Sequence, residues 1–344
     1  MKDFDTFIWA SDYEDFTGEG LLARCFVKNY FLDKNLKIKI ISNNSIYYYY
    51  KNKIIIFKKK KYKNNFLTKY AYPLLGIAYI WYYKIKRKKV CYLNYLPLWN
   101  FIIFFLLPKK TILGTITGSI YKKEITNINT FIRKIFFPFF YLISLKILYC
   151  KFKFILFSTS NLKKIVRKDK IKSCVFNFCF LFFEKRKKKK KNIDFLFYIR
   201  NHPLKSNIFQ TLIINRLVSL GFKVVVVGDK FEQANVVNYI NLPRLQLLKI
   251  LDQTKYTLVS DENFFSMFAV DCLSCGCFIF YNSRSQKNIY KISNFIPLRF
   301  DNLHYSEKII LKSFKKSQNI VRFKNLENFF LNQSNKIKNR IKLI

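Results

Sequence analysis

Three sets of residues in this 344-residue chain have types and spacings that suit chemistry. The first is Arg200-Asn201-His202-Pro203-Leu204-Lys205, which follows the apolar run Ile193–Ile199. Such a run reads as a buried strand, and a helical pattern begins soon after it. Arg200 at the strand end and Lys205 near the helix start can therefore face one space above a sheet. A planar guanidinium beside a point-charge ammonium would neutralise a diphosphate. The alternative is two solvated cations in a lysine-rich chain. However, only 12 of the 63 basic residues are arginine, so the placement of an arginine carries information. His202 shares the loop, as an accessory contact or an ordinary loop residue.

The second set runs from Ser260-Asp261-Glu262-Asn263 through Ser266 to Asp271. A strand, Tyr256–Val259, enters this loop, and Ser266 can cap the helix that follows. The free N–H groups and positive potential of a helix N-terminus can hold a phosphate. Glu262 can accept hydrogen bonds from sugar hydroxyls. The chain has only 20 acidic residues, so three within eleven positions stand out, although a capping cluster would look similar.

The third set is the glycines. There are eight in 344 residues, well below the average of roughly 7%. Gly18, Gly20, Gly114, Gly118, Gly221, Gly228 and Gly276 fall at the ends of predicted elements; Gly76 does not. Gly228 is followed by Asp229, and Gly118 by sequence belongs to a loop with Thr117. In open α/β sheets, ligands bind outside the carboxyl ends of the strands. Together the glycines favour a cleft lined by phosphate or sugar contacts over a series of ordinary turns. Gly18-Glu19-Gly20 is not a full dinucleotide fingerprint, because position 23 is Ala23.

The elements that must position these sets alternate along the chain. In the first half, strands are predicted at Phe7–Ala10, Leu36–Ile41, Val90–Leu93, Thr111–Leu113 and Phe152–Phe157. Helices are predicted through about Tyr30, over Tyr70–Lys88 with a break or start at Pro73, over Leu98–Leu107, and over Asn129–Tyr149 with Pro138 within it. Residues Asn43–Thr68 read as a Lys/Asn/Tyr-rich insertion with little periodicity. The basic run Glu184–Lys191 repels itself and reads as a linker. Beyond it, strands at Ile193–Ile199, Lys223–Val227, Tyr256–Val259 and Phe278–Tyr281 alternate with helices at Ile208–Leu220, Pro243–Leu251 and Ser266–Cys275. A final helix spans Asn325–Lys342. This alternation argues for parallel sheets covered on both faces. The expected fold is α/β, with two Rossmann-like doubly wound domains, 1–186 and 187–344, facing a cleft, and a last helix returning to the N-terminal domain.

Hydrophobic residues make up 51% of the chain, enough to bury real cores, which excludes a disordered polycation. The net charge of +43 points first to nucleic acid, yet no zinc knuckle, basic zipper or RNA-recognition signature appears. Heavy use of Lys, Asn, Ile, Phe and Tyr throughout fits a coding preference. A basic face held against anionic lipid is the competing reading. Leu98–Leu107 and Phe131–Tyr149 are strongly apolar and flanked by cations, as core or interfacial helices would be. No apolar run reaches the length of a spanning helix, and the N-terminus does not read as a secretory signal. A cytoplasmic protein, peripheral at the inner face of a membrane, is expected. The eight cysteines read as small buried hydrophobes, and with only two histidines no metal site is expected.

Taken in order, these residues resemble the nucleotide-sugar-binding half of GT-B glycosyltransferases, most closely the retaining group that builds surface glycans and glycolipids. The resemblance rests on Arg200 and Lys205, on Val224–Val227 with Gly228-Asp229, and on Ser260, Glu262, Asp271, Cys275 and Gly276. It covers about Asp194–Tyr281. Eight residues separate Glu262 from Asp271, where the family places two glutamates with seven between. The resemblance implies a hexosyltransferase of polysaccharide biosynthesis that moves a sugar from a nucleotide-diphosphate donor to a glycan or lipid-linked acceptor. Arg200, Lys205 and Glu262 would be catalytic. Gly18, Gly20, Gly228, Asp229, Asn263, Ser266 and Asp271 would bind the donor, with Asp271 holding the ribose. Thr117 and Gly118 would lie on the acceptor side. No cofactor or metal is implied beyond the nucleotide sugar as co-substrate. The partners implied are this donor, the acceptor and an anionic membrane surface, and not nucleic acid. The altered acidic spacing leaves a non-catalytic sugar- or membrane-surface-binding protein on the same fold as the alternative.

Overall fold

In the computed structural model, the buried runs seen in the sequence become the central strands of two six-stranded sheets. The structure describes all residues except 1–3, 17, 32–35, 51–52, 60–65, 119–127, 188, 201–207, 260–263, 285–289, 317–322 and 343–344. The chain divides into two compact units, Met1–Leu181 with Ser334–Ile344, and Phe182–Gln333.

In the first unit, β1 (Thr6–Trp9) lies between β2 (Ile38–Ile41) and β5 (Lys89–Tyr92), parallel to both. β3 (Ser45–Tyr50) and β4 (Lys53–Lys59) extend the β2 edge antiparallel, and β7 (Ile112–Leu113) extends the β5 edge parallel. The region read from sequence as an unpatterned insertion thus contains a strand pair. Its Ser-Ile-Tyr-Tyr-Tyr-Tyr and Ile-Ile-Ile-Phe runs are aromatic and β-branched, which suits a pleated surface even without strict alternation. Two short parallel pairs complete the strands of this unit: β6 (Leu96–Pro97) with β8 (Ile116–Thr117), and β9 (Ile155–Leu156) with β10 (Cys174–Val175).

Four helices surround this sheet: α1 (Gly18–Phe31), α2 (Phe66–Ile85), α3 (Phe101–Leu106) and α4 (Ile128–Lys151). Pro73 and Pro138 lie inside α2 and α4 instead of ending them. Asn100 caps α3, its side chain accepting from the Ile103 amide. The core gathers Phe7 and Trp9 of β1, Tyr92 of β5, Ile80 of α2 and Leu148 of α4. Trp9 stacks on Tyr79 with ring centroids 5.6 Å apart.

In the second unit, β11 (Ile193–Ile199) lies between β12 (Val224–Gly228) and β14 (Thr254–Leu258). β13 (Val237–Ile240) pairs outside β12, while β15 (Phe278–Asn282) and then β16 (Phe295–Leu298) pair outside β14, all parallel. Numbered within the unit, the order is 3-2-1-4-5-6, the doubly wound order of dinucleotide-binding sheets. The helices are α5 (Ile208–Ser219), α6 (Arg244–Leu251), α7 (Met267–Ser274), α8 (Leu303–Lys316) and α9 (Phe323–Lys342), whose residues belong partly to each unit. Tyr256 is the hub of the core: it stacks on Phe195, Phe278 and Phe280, and its hydroxyl donates to the Ser313 carbonyl at 2.9 Å. Among the described residues, no helix is long and apolar enough to cross a membrane.

The basic run before β11 is held in place. Arg186 makes a two-pronged contact with buried Asp252, Nε to Oδ1 at 2.8 Å and NH2 to Oδ2 at 2.7 Å. Lys191 donates to the carbonyls of Leu251 at 3.3 Å and Cys275 at 2.7 Å, at the ends of α6 and α7, where helix dipoles favour a cation. Lys185 pairs with Glu327 at 2.9 Å. The repulsion expected of this run is thus offset by two carboxylates and two helix C-termini. Burial pushes the Asp252 carboxyl up, but hydrogen bonds from Arg186 and the neighbouring cations outweigh it, and the net direction is down. A carboxyl lowered in the folded state stabilises the fold above its unfolded value, about 3.9, and loses that contribution as pH falls further. Asp252→Asn is expected to cost about 2 kcal/mol near neutral pH and less near pH ~3. Urea unfolding at both pH values checks this; an equal cost at both would contradict it.

Candidate functional site

The second unit's switch point lies where β11 has β12 on one side and β14 on the other. Crossovers leave this strand in opposite directions, so its carboxyl end opens a crevice. Arg200 is the first residue beyond β11 and is exposed. Gly228 closes β12 at φ 117°, where a Cβ would come within 2.1 Å of the Ile199 carbonyl oxygen. Only glycine lets the two strand ends approach so closely. The Asp229 amide then donates to that Ile199 oxygen at 3.0 Å, and the Asn241 amide to the Gly228 carbonyl at 3.1 Å. These bonds tie the ends of β11, β12 and β13 together.

Across the switch point, α7 begins after Ser266, whose Oγ accepts from the Ala269 amide at 3.2 Å. Phe264 and Phe265, just before the cap, are buried against Phe295. They anchor the end of the acidic loop in the core. Tyr198, the penultimate residue of β11, stacks on Phe268 in the first turn of α7 with centroids 5.2 Å apart. Arg200, Gly228, Asp229 and Ser266 therefore share the carboxyl edge of one sheet. Lys205, Glu262, Asn263 and His202 lie outside the described residues.

Asp271 sits elsewhere. It is in the middle of α7, 2% exposed, and its carboxylate is gripped by Arg244 at the start of α6. Arg244 NH2 donates to Oδ1 at 2.7 Å, and Nε lies 3.2 Å from Oδ1 and 3.1 Å from Oδ2. The same NH2 reaches the Phe182 carbonyl at 3.3 Å, and Glu184 stands 3.7 Å from NH1. Burial pushes the Asp271 carboxyl up while Arg244 pulls it down, and burial prevails. The sequence reading assigns this carboxylate to a ribose; in the structure it fastens α7 to α6. Sequence reasoning missed Arg244, although its type was the signal: it is another scarce arginine, one residue after Pro243 at a helix start.

The first unit has its own switch point, between β1 and β5. The Ser11 amide and hydroxyl, just past β1, both donate to Asn94 Oδ1 just past β5, at 2.7 and 2.9 Å. The loop between β1 and α1 is held at several points. Arg24 donates to the carbonyls of Tyr13 and Asp15. Glu14 accepts from Ser42 Oγ at 2.7 Å and from the Tyr47 hydroxyl at 2.8 Å. Burial pushes the Glu14 carboxyl up, but hydrogen bonds from Ser45, Ser42 and Tyr47 hold it below its ordinary value. Gly20 completes the loop: a Cβ there would meet the Asp12 carbonyl oxygen at 2.3 Å. Beside it lies a shallow depression lined by Glu19, Ala23, Phe26, Asn94, Gly114 and Thr115 among others.

Gly18 opens α1 and is exposed. Thr117 lies in β8, paired with Pro97, and a Cβ on Gly118 would contact Leu162 and Leu98. Neither Thr117 nor Gly118 is among the residues lining the depression; Gly114 and Thr115 are. Among the described residues, no group of three His, Cys, Asp or Glu side chains is placed to hold a metal ion. Cys272, Cys275 and Cys277 are buried.

The Arg244–Asp271 pair is open to test. Removing the guanidinium strands a buried carboxylate, so Arg244→Ala is expected to cost roughly 3–5 kcal/mol, whereas Arg244→Met with Asp271→Leu recovers most of that loss. Urea unfolding of the single and double variants measures both. A single-variant cost under about 1 kcal/mol would contradict the pairing.

The fold is similar to that of a glycosyltransferase from Rickettsia africae ESF-5, with a TM-score of 0.50 at 10% identity over 99% of this chain and 94% of that one. Lower similarity extends to the Methanocaldococcus jannaschii UDP-GlcNAc 2-epimerase, with a TM-score of 0.47 at 8% identity over 92% and 93% of the two chains. It also extends to CalG4, the calicheamicin glycosyltransferase, with a TM-score of 0.44 at 9% identity over 99% of each chain. No protein-family model matches the sequence, and no curated protein is similar to it. With two Rossmann-like units, each built around a set of parallel strands with its own switch point, the chain has the GT-B fold of two-domain glycosyltransferases.

Proposed function

We propose that this protein is a glycosyltransferase that moves a sugar from a nucleotide-diphosphate donor to a hydroxyl of a glycan or lipid-linked acceptor. One observation carries the reading: Arg200, the Gly228 turn and the capped N-terminus of α7 share the carboxyl edge of the second unit's sheet, at its switch point.

Departure of a nucleoside diphosphate leaves negative charge on its β-phosphate. Groups that meet this charge as it develops lower the barrier more than groups that merely bind the donor. In this reading Arg200 holds the diphosphate through a forked contact, Lys205 adds a second cation, and the first-turn amides of α7 point at the same anion. Glu262 orients the donor sugar, and the close turn at Gly228-Asp229 admits the donor near the backbone. Asp271 acts as a positioning residue: its pair with Arg244 fixes the direction of α7. The cations and the helix N-terminus supply the charge neutralisation that a metal provides in other diphosphate sites. A binding protein without turnover is the second reading, favoured by the engagement of Asp271 with Arg244.

Isothermal titration against UDP-, GDP- and ADP-sugars tests the clamp. The full chain is expected to bind at least one of them, and Arg200→Ala with Lys205→Ala to weaken that binding about 100-fold, as loss of two charge-assisted contacts implies. Arg200→Lys is expected to recover only part of the affinity, because an ammonium cannot fork. Unchanged affinity in the double alanine variant removes the diphosphate clamp. Donor turnover with an acceptor panel separates the transferase from the binding protein.

A further inference from the structure

We propose that α2, α3 and α4 of the first unit form a surface that docks flat on an anionic lipid bilayer; this goes beyond sugar transfer and does not depend on it. More than half of the large apolar side chains exposed among the described residues lie on these helices and the turn before α3. On α2 they recur at helical spacing: Leu74, Leu75, Trp81, Tyr82 and Ile85, the last 76% exposed. On α4, Ile135, Phe139 and Leu142 make a second stripe. Ile102 and Phe105 of α3 stand between.

The three helices form one continuous surface. Trp81 of α2 donates its indole N–H to the Leu106 carbonyl at the end of α3, at 2.8 Å. Phe101 of α3 packs on Phe140 of α4, and Trp99 stacks on Phe137, each with centroids 5.6 Å apart. α2 is therefore apolar on both faces: one covers the sheet through Tyr72, Ile77 and Ile80, and the other meets solvent. A helix exposing this much apolar area needs a partner, and contiguous patches of this kind mark interaction sites.

Charge identifies the partner. Between Lys34 and Lys168 the sequence holds 29 basic residues and one acidic residue, Glu124; the other 209 residues hold 34 basic and 19 acidic. A coding preference for lysine would act along the whole chain. It does not explain why acidic residues are missing from this stretch alone. The cations stand beside the apolar stripes: Lys86 lies over the Tyr82 ring at 4.3 Å, Lys151 over Phe105 at 5.7 Å, and Lys109 and Lys146 are exposed. Apolar helix faces with flanking lysines, and with Trp and Tyr near the charges, match an interface with hydrocarbon below and anionic headgroups around it. None of these helices is suited to crossing the bilayer, so the geometry is one of lying on it.

Flotation of the full chain with phosphatidylcholine vesicles, with and without phosphatidylglycerol, tests the proposal without any sugar donor, so its outcome is separate from that of the clamp. The chain is expected to float with the phosphatidylglycerol vesicles, and its fluorescence to shift to the blue as Trp81 and Trp99 leave water. Phe139→Ser with Leu142→Ser is expected to abolish flotation while leaving the melting temperature unchanged, since both side chains are exposed; Ile85→Ser with Ile102→Ser provides an independent second variant. Lys109→Gln with Lys146→Gln should weaken binding about fivefold per cation, whereas Lys308→Gln with Lys312→Gln on α8 should not change it. Three results would overturn the proposal: no flotation, flotation indifferent to both apolar variants, or a stable dimer in sedimentation that the apolar variants dissociate.

Discussion

A parallel strand covered on both faces has nowhere to put a charge except at its ends, and this constraint organises both units. β11 is hydrogen-bonded to neighbours on each side, and Phe195, Leu196, Phe197 and Ile199 are all buried. The first charged residue it presents at its carboxyl end is Arg200. β1 is buried from Thr6 to Trp9, and the first hydrogen-bonding group it delivers at its carboxyl end is Ser11, which meets Asn94 from the neighbouring strand end. Polar function therefore collects on the carboxyl edge, where crossovers leaving in opposite directions open a space. Loops there are held by backbone contacts that tolerate no side chain, as at Gly228 and Gly20.

A net charge of +43 would suggest that the rare acids do chemistry, but most of those described do structural work. Asp252 neutralises the basic run before β11, and Asp194 receives Lys255 at 2.8 Å and the Lys223 amide at 3.0 Å. Glu307 receives Arg216 at 2.8 Å, Glu14 pins the loop after β1, and Asp271 binds Arg244. Each anchors two elements that apolar packing alone would leave free to slide. In a chain so rich in cations, a lone carboxylate finds an arginine or lysine readily, and burial then makes the pair costly to break. The scarcity that made Asp271 look functional also makes it structural.

The arrangement of strands and helices was largely legible. The apolar runs at Ile193–Ile199 and Phe278–Tyr281 coincide closely with β11 and β15, because a strand buried on both faces is apolar at nearly every position, Asp194 near the start of β11 being the exception. The edges were not. β13 is mostly exposed and shows no alternation, and the β3–β4 pair hides in a run of tyrosines and lysines. Edge strands answer to a neighbour on one side only, so their composition is weakly constrained. Pro73 suggested a helix start or break, yet packing on the first unit's core carries α2 through it, while Pro138 lies within α4 as the sequence suggested.

Composition and spacing alone determined that the chain alternates between buried strands and helices, and that Arg200 and Ser266 stand at element ends. Those features depend on local periodicity and capping, which a short stretch of sequence contains in full. Only tertiary structure decided that Asp271 faces Arg244, that Lys191 caps two helix ends, and that α2, α3 and α4 leave a joint apolar surface uncovered. Each of these depends on which residues meet across the fold, and a carboxylate or a leucine reads the same in sequence whether its partner is a guanidinium, another helix or solvent.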